Sequence, residues 1–151
     1  MPETIIADTS CFILLTNINQ LDLLQKLYGT ITTTTIIAEE FKQLLPEWVN
    51  VKLAADNKYQ RILELQVDKG EASAIALALE ITDSTIILDD LKARQLASHL
   101  GISITGTLGI IIKAKQIGII PSIKPLLEKI RQTNFRISPT LESIALKEAG
   151  E

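Results

Sequence analysis

The run from Ser84 to Leu88 is β-branched and apolar almost throughout, and it stops at the paired acids Asp89 and Asp90. A strand with one wet face alternates apolar and polar residues. A strand that does not alternate needs cover on both faces, which is the condition of a parallel sheet sandwiched between helices. Thr4 to Asp8, Thr30 to Thr35 and Ile102 to Thr105 are further short runs that favour extended backbone, and Val49 to Leu53 is another extended piece. Segments with helical spacing separate them. That alternation predicts an α/β chain, a three-layer α/β/α sandwich with a central parallel sheet.

The helical segments carry their own punctuation. Thr9 and Ser10 offer caps for a helix from Cys11 to about Thr16. Leu21, Leu23, Leu24, Leu27 and Tyr28 recur at helical spacing and stop at Gly29. Ile36 to Leu45 has the 3–4 spacing of a helix that Pro46 would end, with Glu39 and Glu40 inside it. Asn57 to Leu65 is a further helix. Gly70 and Glu71 open a helix so rich in alanine that it is apolar almost all round, and such a helix is buried. Leu91 to Leu100 closes at Gly101, and Leu108 to Ile117 closes at Gly118. Pro121 and Pro125 frame the start of a helix through Ile130, and Ser138-Pro139 opens the last.

With 151 residues, 46% of them hydrophobic and 22% charged, the chain suits a single domain over 1–151 with a proper core. The stretch Gly101 to Ile112 is too short and too polar to span a bilayer, and no charged region precedes an apolar one at the start, so a cytoplasmic protein is expected. Cys11 is the one cysteine and His99 the one histidine, which excludes an internal disulfide and a Cys/His zinc site. The glycines supply neither the phosphate loop of nucleotide hydrolases nor the dinucleotide fingerprint, and no nucleophile elbow accompanies His99. Nor does Asp8 have the companion residues of an aspartate that accepts a phosphoryl group.

Charge is divided unevenly. Residues 1–90 hold fourteen acids and six bases, whereas 91–136 hold eight bases and the single acid Glu128. The basic block either meets nucleic-acid phosphates or forms the solvated faces of helices. The acids stand at strand ends and helix starts: Asp8, Glu39-Glu40, Glu71 and Asp89-Asp90. In open α/β sheets the carboxyl ends of the strands form the ligand crevice, so these acids can converge. Gathered carboxylates take a hard divalent cation such as Mg²⁺ or Mn²⁺, which activates water for attack on a phosphodiester. Taken singly, Asp8, Glu71 and Asp89 or Asp90 have a structural alternative as caps or partners of helix N-termini.

At these segments the chain resembles the PIN-domain nucleases. ADTSCFI is similar to their first-strand aspartate with its Ser/Thr neighbour, IIAEEF to the helix with the second acid, GEASAIALA to the third and IILDDLKARQLA to the fourth. With GISITGTLGIIIKAKQIGII and the closing FRISPTLESIALKEAGE, the resemblance covers nearly the whole chain and is nearest to a little-characterised prokaryotic subfamily related to VapC-type toxins. It implies a parallel sheet between helices, a Mg²⁺- or Mn²⁺-dependent endoribonuclease, frequent homodimers, RNA as substrate and a cognate antitoxin as partner. Carried across, it assigns Asp8, Glu40, Glu71 and Asp90 to metal and catalysis, with Asp89 a close second to Asp90 and Glu40 preferred to the solvated Glu39. Ser10 would bond a carboxylate or a metal-held water, and Lys92, Arg94 or Lys113 would meet RNA phosphates. Two positions depart from the pattern: Glu71 replaces a common aspartate, and Thr32 to Thr35 stand where proline is frequent. The alternative from another class is a catalytically inactive PIN-like module that binds RNA or protein. A DNA-directed nuclease is less favoured, for want of an arch or a helix pair to hold DNA.

Overall fold

The computed structural model describes residues 3–151. Five strands form one parallel sheet in the order β3-β2-β1-β4-β5, comprising β1 (Thr4–Ala7), β2 (Ile31–Thr34), β3 (Val49–Lys52), β4 (Ser84–Ile87) and β5 (Ser103–Thr105). Nine helices among the described residues cover it: α1 (Thr9–Asn17), α2 (Leu23–Tyr28), α3 (Thr35–Phe41), α4 (Asn57–Leu63), α5 (Lys69–Glu80), α6 (Leu91–His99), α7 (Thr107–Gln116), α8 (Lys124–Arg131) and α9 (Pro139–Glu148). This is the three-layer architecture that the unalternated strands require. Ile5, Ile6 and Ala7 of β1 and Thr85, Ile86 and Ile87 of β4 are all buried.

The alanine-rich α5 lies against β1, β2 and β4, with α3 and α4 against it in turn. Every residue from Gly70 to Ala78 is buried, because small side chains let the helix approach its neighbours on all sides. Elsewhere α2 rests on β2 and meets α7, which also touches α1 and α9. No helix of the described residues is long and apolar enough to cross a membrane.

Most predicted boundaries hold within a few residues. One does not: α3 ends at Phe41 rather than running to Leu45, and the residue that stops it is Lys42, in the left-handed conformation at φ 59°. Pro46 lies beyond the break. The first helix also starts earlier, at Thr9, directly behind Asp8.

Order and register fix the site. The chain leaves the central β1 toward β2, while β4, on the other side of β1, leads outward to β5. The two exits diverge, and a crevice opens at the carboxyl ends of β1 and β4. Ala7 pairs with Ile87 in register, so Asp8 and the Leu88–Asp90 segment emerge side by side.

Candidate active site

Five of the predicted acids meet. A cavity of about 460 Å³ at this crevice is lined by Asp8, Glu40, Glu71, Asp89 and Asp90, with Thr9, Ser10, Ile13 and Asp68. Glu39 is exposed one position earlier on α3 and does not line it.

Buried hydroxyls hold the elements that carry these acids. Thr33 Oγ1 donates to the Ala7 carbonyl at 2.9 Å, pinning the chain just before Asp8. Thr34 caps α3 by accepting from the Ile37 N–H at 3.1 Å, and its hydroxyl meets Ser73 Oγ of α5 at 2.6 Å. One strand end therefore ties β1, the helix of Glu40 and the helix of Glu71 together. Glu40 reaches across to accept from Thr9 Oγ1 at 2.7 Å. It does so over Gly70, where an added Cβ would collide with Glu40 Oε1.

Asp68 and Glu71 form a capping box on α5. Asp68 Oδ1 accepts from the Glu71 N–H at 2.8 Å, and Glu71 Oε1 accepts from the Asp68 N–H at 3.2 Å. Asp90 caps α6, accepting from the Ala93 N–H at 3.0 Å. Asp89 turns the other way and grips the start of α7. Its Oδ1 accepts from the Thr107 N–H at 2.8 Å, and its Oδ2 accepts from Thr107 Oγ1 at 2.6 Å and from Ser10 Oγ at 3.5 Å. Asp8 differs from them all: only 4% exposed, it makes no side-chain cap to the helix it precedes.

Electrostatics follow from that crowding. Burial pushes the Asp8 carboxyl from its ordinary 3.8 up to about 7; the Thr9 N–H draws it back, and the charges of Glu71, Asp68 and Glu40 push it further up. Glu71 rises to about 7, first from burial and then from the charge of Asp68, with Asp90 adding to it. Among the described residues none of the six lining acids is ion-paired to Lys or Arg. The Cys11 thiol, beneath Asp89 and Thr107, is fully buried and pushed upward by burial, which makes it a structural thiol.

The acids offer only carboxyl oxygens as donors, so the residues fit a hard divalent cation. Among the described residues no three of them already converge as a closed ligand cage. Cations of this class complete their shells with water and substrate oxygens around one or two carboxylates.

The three predicted cationic contacts do not line this cavity. Lys92 is exposed on α6, Lys113 lies over the Tyr28 ring at 4.9 Å, and Arg94 donates to the Leu88 carbonyl at 2.6 Å. His99 is exposed and bonded to Gln95 within its own helix. Sequence reasoning missed Asp68, Thr9, Thr107 and the buried threonines of β2. Asp68 had a local signal, since Asp-x-x-Glu before an apolar run is a capping-box pattern. Thr107 had none, because its partner lies eighteen positions away.

The sequence model of a family described as a PIN domain matches residues 4–151. No curated protein and no solved structure matches the chain. PIN domains are in general nucleases that use divalent metal ions, and an acid-lined crevice at the strand ends of a parallel sheet suits that chemistry. With nearly its full length matched, the chain belongs to the PIN-domain family.

Proposed function

We propose that this protein is a Mg²⁺- or Mn²⁺-dependent endoribonuclease that hydrolyses RNA phosphodiester bonds at the acidic cavity, acting as the toxin of a toxin–antitoxin pair. The observation that carries the chemistry is Asp8, a buried carboxylate facing Glu71, Asp68 and Glu40 with no cation among the described residues to offset it. Asp8, Glu40, Glu71 and the Asp89-Asp90 pair would hold the ion. A bound divalent ion supplies charge neutralisation and the Lewis acidity that phosphodiester hydrolysis uses.

The protein's own part is positional. Thr33 fixes the exit of β1, Thr9 steers Glu40 across Gly70, and the capping box sets the rotamer of Glu71. Ser10, bonded to Asp89, places a hydroxyl at the rim where a substrate phosphate would arrive. Exposed Val51 and Leu53 on and beside the edge strand β3, with Tyr59 and Ile62 on α4, support self-association as a homodimer.

The test is cleavage of a panel of RNAs with Mg²⁺, Mn²⁺ or chelator, by the unaltered chain and by Asp8→Asn and Glu71→Gln. Cutting should vanish on chelation and in both variants; cutting that persists in both would place the chemistry elsewhere. A second reading, an inactive module that binds RNA or protein, is favoured by the caps that Glu71, Asp89 and Asp90 already form. Expression in a bacterial host separates the two. Growth arrest rescued by Asp8→Asn supports the enzyme, whereas arrest unchanged by it supports the module.

A further inference from the structure

A second cavity, of about 520 Å³, opens between α6, α7, α9 and the segment joining α8 to α9. That volume suits a small-molecule-sized guest. Leu108, Ile112, Leu141 and Ile144 make its walls apolar, Phe135 adds an aromatic ring, and Arg94 and Arg136 bring two guanidiniums. It adjoins the acidic cavity, because Asp89 lines both. On the other side, Ser10 and Ile13 carry the acidic cavity into a groove bounded again by Phe135, with Asn134. Phe135 thus stands where both routes out of the acidic cavity meet.

Among the described residues no Lys or Arg lines the acidic cavity itself. A polyanion with one phosphate placed there must find its counter-charge beside it. Arg94 is built into that border: its Nη1 donates to the Leu88 carbonyl at 2.6 Å. A Cβ on Gly106 would stand 3.0 Å from Arg94 Nη1 and 3.2 Å from Asp89 Oδ1, so the glycine leaves room that both side chains border. Arg136 is exposed and in no ion pair among the described residues, whereas nearby Arg131 is held by Glu128 and Glu142. An apolar slot, a half-buried aromatic ring and two guanidiniums together match the two halves of a nucleotide, its flat base and its anionic phosphate. Glu148 and Asp89 also line the cavity, but an apolar protein segment would satisfy the walls and leave exposed Arg136, in no ion pair among the described residues, without an anionic partner.

We propose that this cavity receives the nucleobase next to the scissile phosphate of a single RNA strand, with Phe135 as its stacking face and Arg136 on the adjoining phosphate. The proposal rests on the nuclease reading of the acidic cavity and adds where substrate selectivity is set.

The full chain carrying Asp8→Asn, which holds cleavage off, is titrated with a short oligoribonucleotide bearing 2-aminopurine, read by fluorescence and anisotropy. Binding should quench the probe. Adding Phe135→Leu should abolish the quench and weaken binding about tenfold. Arg136→Gln, at an exposed position that does not threaten folding, should weaken it by a similar factor at low salt and reduce the salt slope by about one. Unchanged quench and affinity in both variants would overturn the proposal. So would failure of any oligonucleotide to bind at millimolar concentration, which would give the cavity to a protein partner. Cleavage by the chain with Asp8 intact reports separately on the nuclease reading. If cutting depends on Asp8 but neither second substitution raises KM, the base pocket is lost and the nuclease stands. If binding depends on Phe135 and Arg136 but nothing is cut, the pocket stands and the nuclease is lost.

Discussion

The β1 side and the β4 side of the acidic cavity carry the same side chains in opposite circumstances. Asp89 has both oxygens engaged by Thr107 and Ser10, and Asp90 closes the start of α6 through Ala93. Each would have a place in the fold if the protein did nothing. Asp8 is buried just past the end of β1, makes no side-chain cap to α1 and faces other carboxylates. Burying a charge with no opposite charge to offset it costs stability. A residue that weakens the fold where it stands is explained by function, whereas one that binds two helices together is explained twice over.

The contrast predicts opposite outcomes for the two sides. Asp8→Asn should produce the largest effect on activity, a fall in RNA cleavage of about two to three orders of magnitude, the scale of losing one preorganised electrostatic group. The same substitution should raise the melting temperature of the metal-free protein, by about 2–4 °C for each kcal/mol of relieved repulsion. Calorimetry with chelator checks it, and a lower melting temperature would show Asp8 to be a structural residue after all. Asp89→Ala should also lose activity, but with a penalty to the fold. It strands the fully buried Thr107 hydroxyl, at a cost on the order of 2 kcal/mol and a drop of about 5 °C.

Acidity sharpens the comparison. Asp8 is raised in the folded state from 3.8 to about 7, so between those values the metal-free folded protein binds more protons than the unfolded chain. Its contribution is therefore favourable at low pH and is lost as pH rises through about 7. Glu71, raised from 4.5 to about 7, acts in the same direction. Melting temperature in chelator should fall across this window by about a few degrees more for the unaltered chain than for Asp8→Asn. Mn²⁺ should restore more at pH 8 than at pH 5, since protonated carboxyls bind metal poorly. Parallel pH profiles for the two proteins would remove the distinction between the two sides.

The parallel sheet was legible because the strands lack alternation and the intervening segments have helical spacing, both local properties. The clustering of Asp8, Glu40, Glu71 and Asp89-Asp90 followed from the family pattern and from the strand-end rule. What was not legible depends on contacts across the chain. The end of α3 at Lys42 replaces a proline stop with a left-handed lysine, which no composition rule favours. The threonines of β2 looked like β-branched filler, yet Thr33 and Thr34 hydrogen-bond to β1 and α5. The choice between Asp89 and Asp90 turns on Thr107, which only the return of the chain through β5 brings near.

The smallest expected effect bears on that choice. Asparagine caps a helix about as well as aspartate, so Asp90→Asn should leave stability within a few tenths of a kcal/mol, whereas Asp90→Ala should cost about 1 kcal/mol. In Asp90→Asn the cap to Ala93 survives while the charge is gone, so any loss of cleavage reports on charge alone. Asp89→Asn cannot be read so simply, because an amide there must aim its oxygen at the Thr107 N–H or at the Thr107 hydroxyl while its NH₂ meets the other. A fall in cleavage with an unchanged melt for Asp90→Asn would make the outer acid of the pair a cation ligand. Full activity in that variant would leave the role to Asp89, whose carboxylate then both anchors α7 and serves the metal.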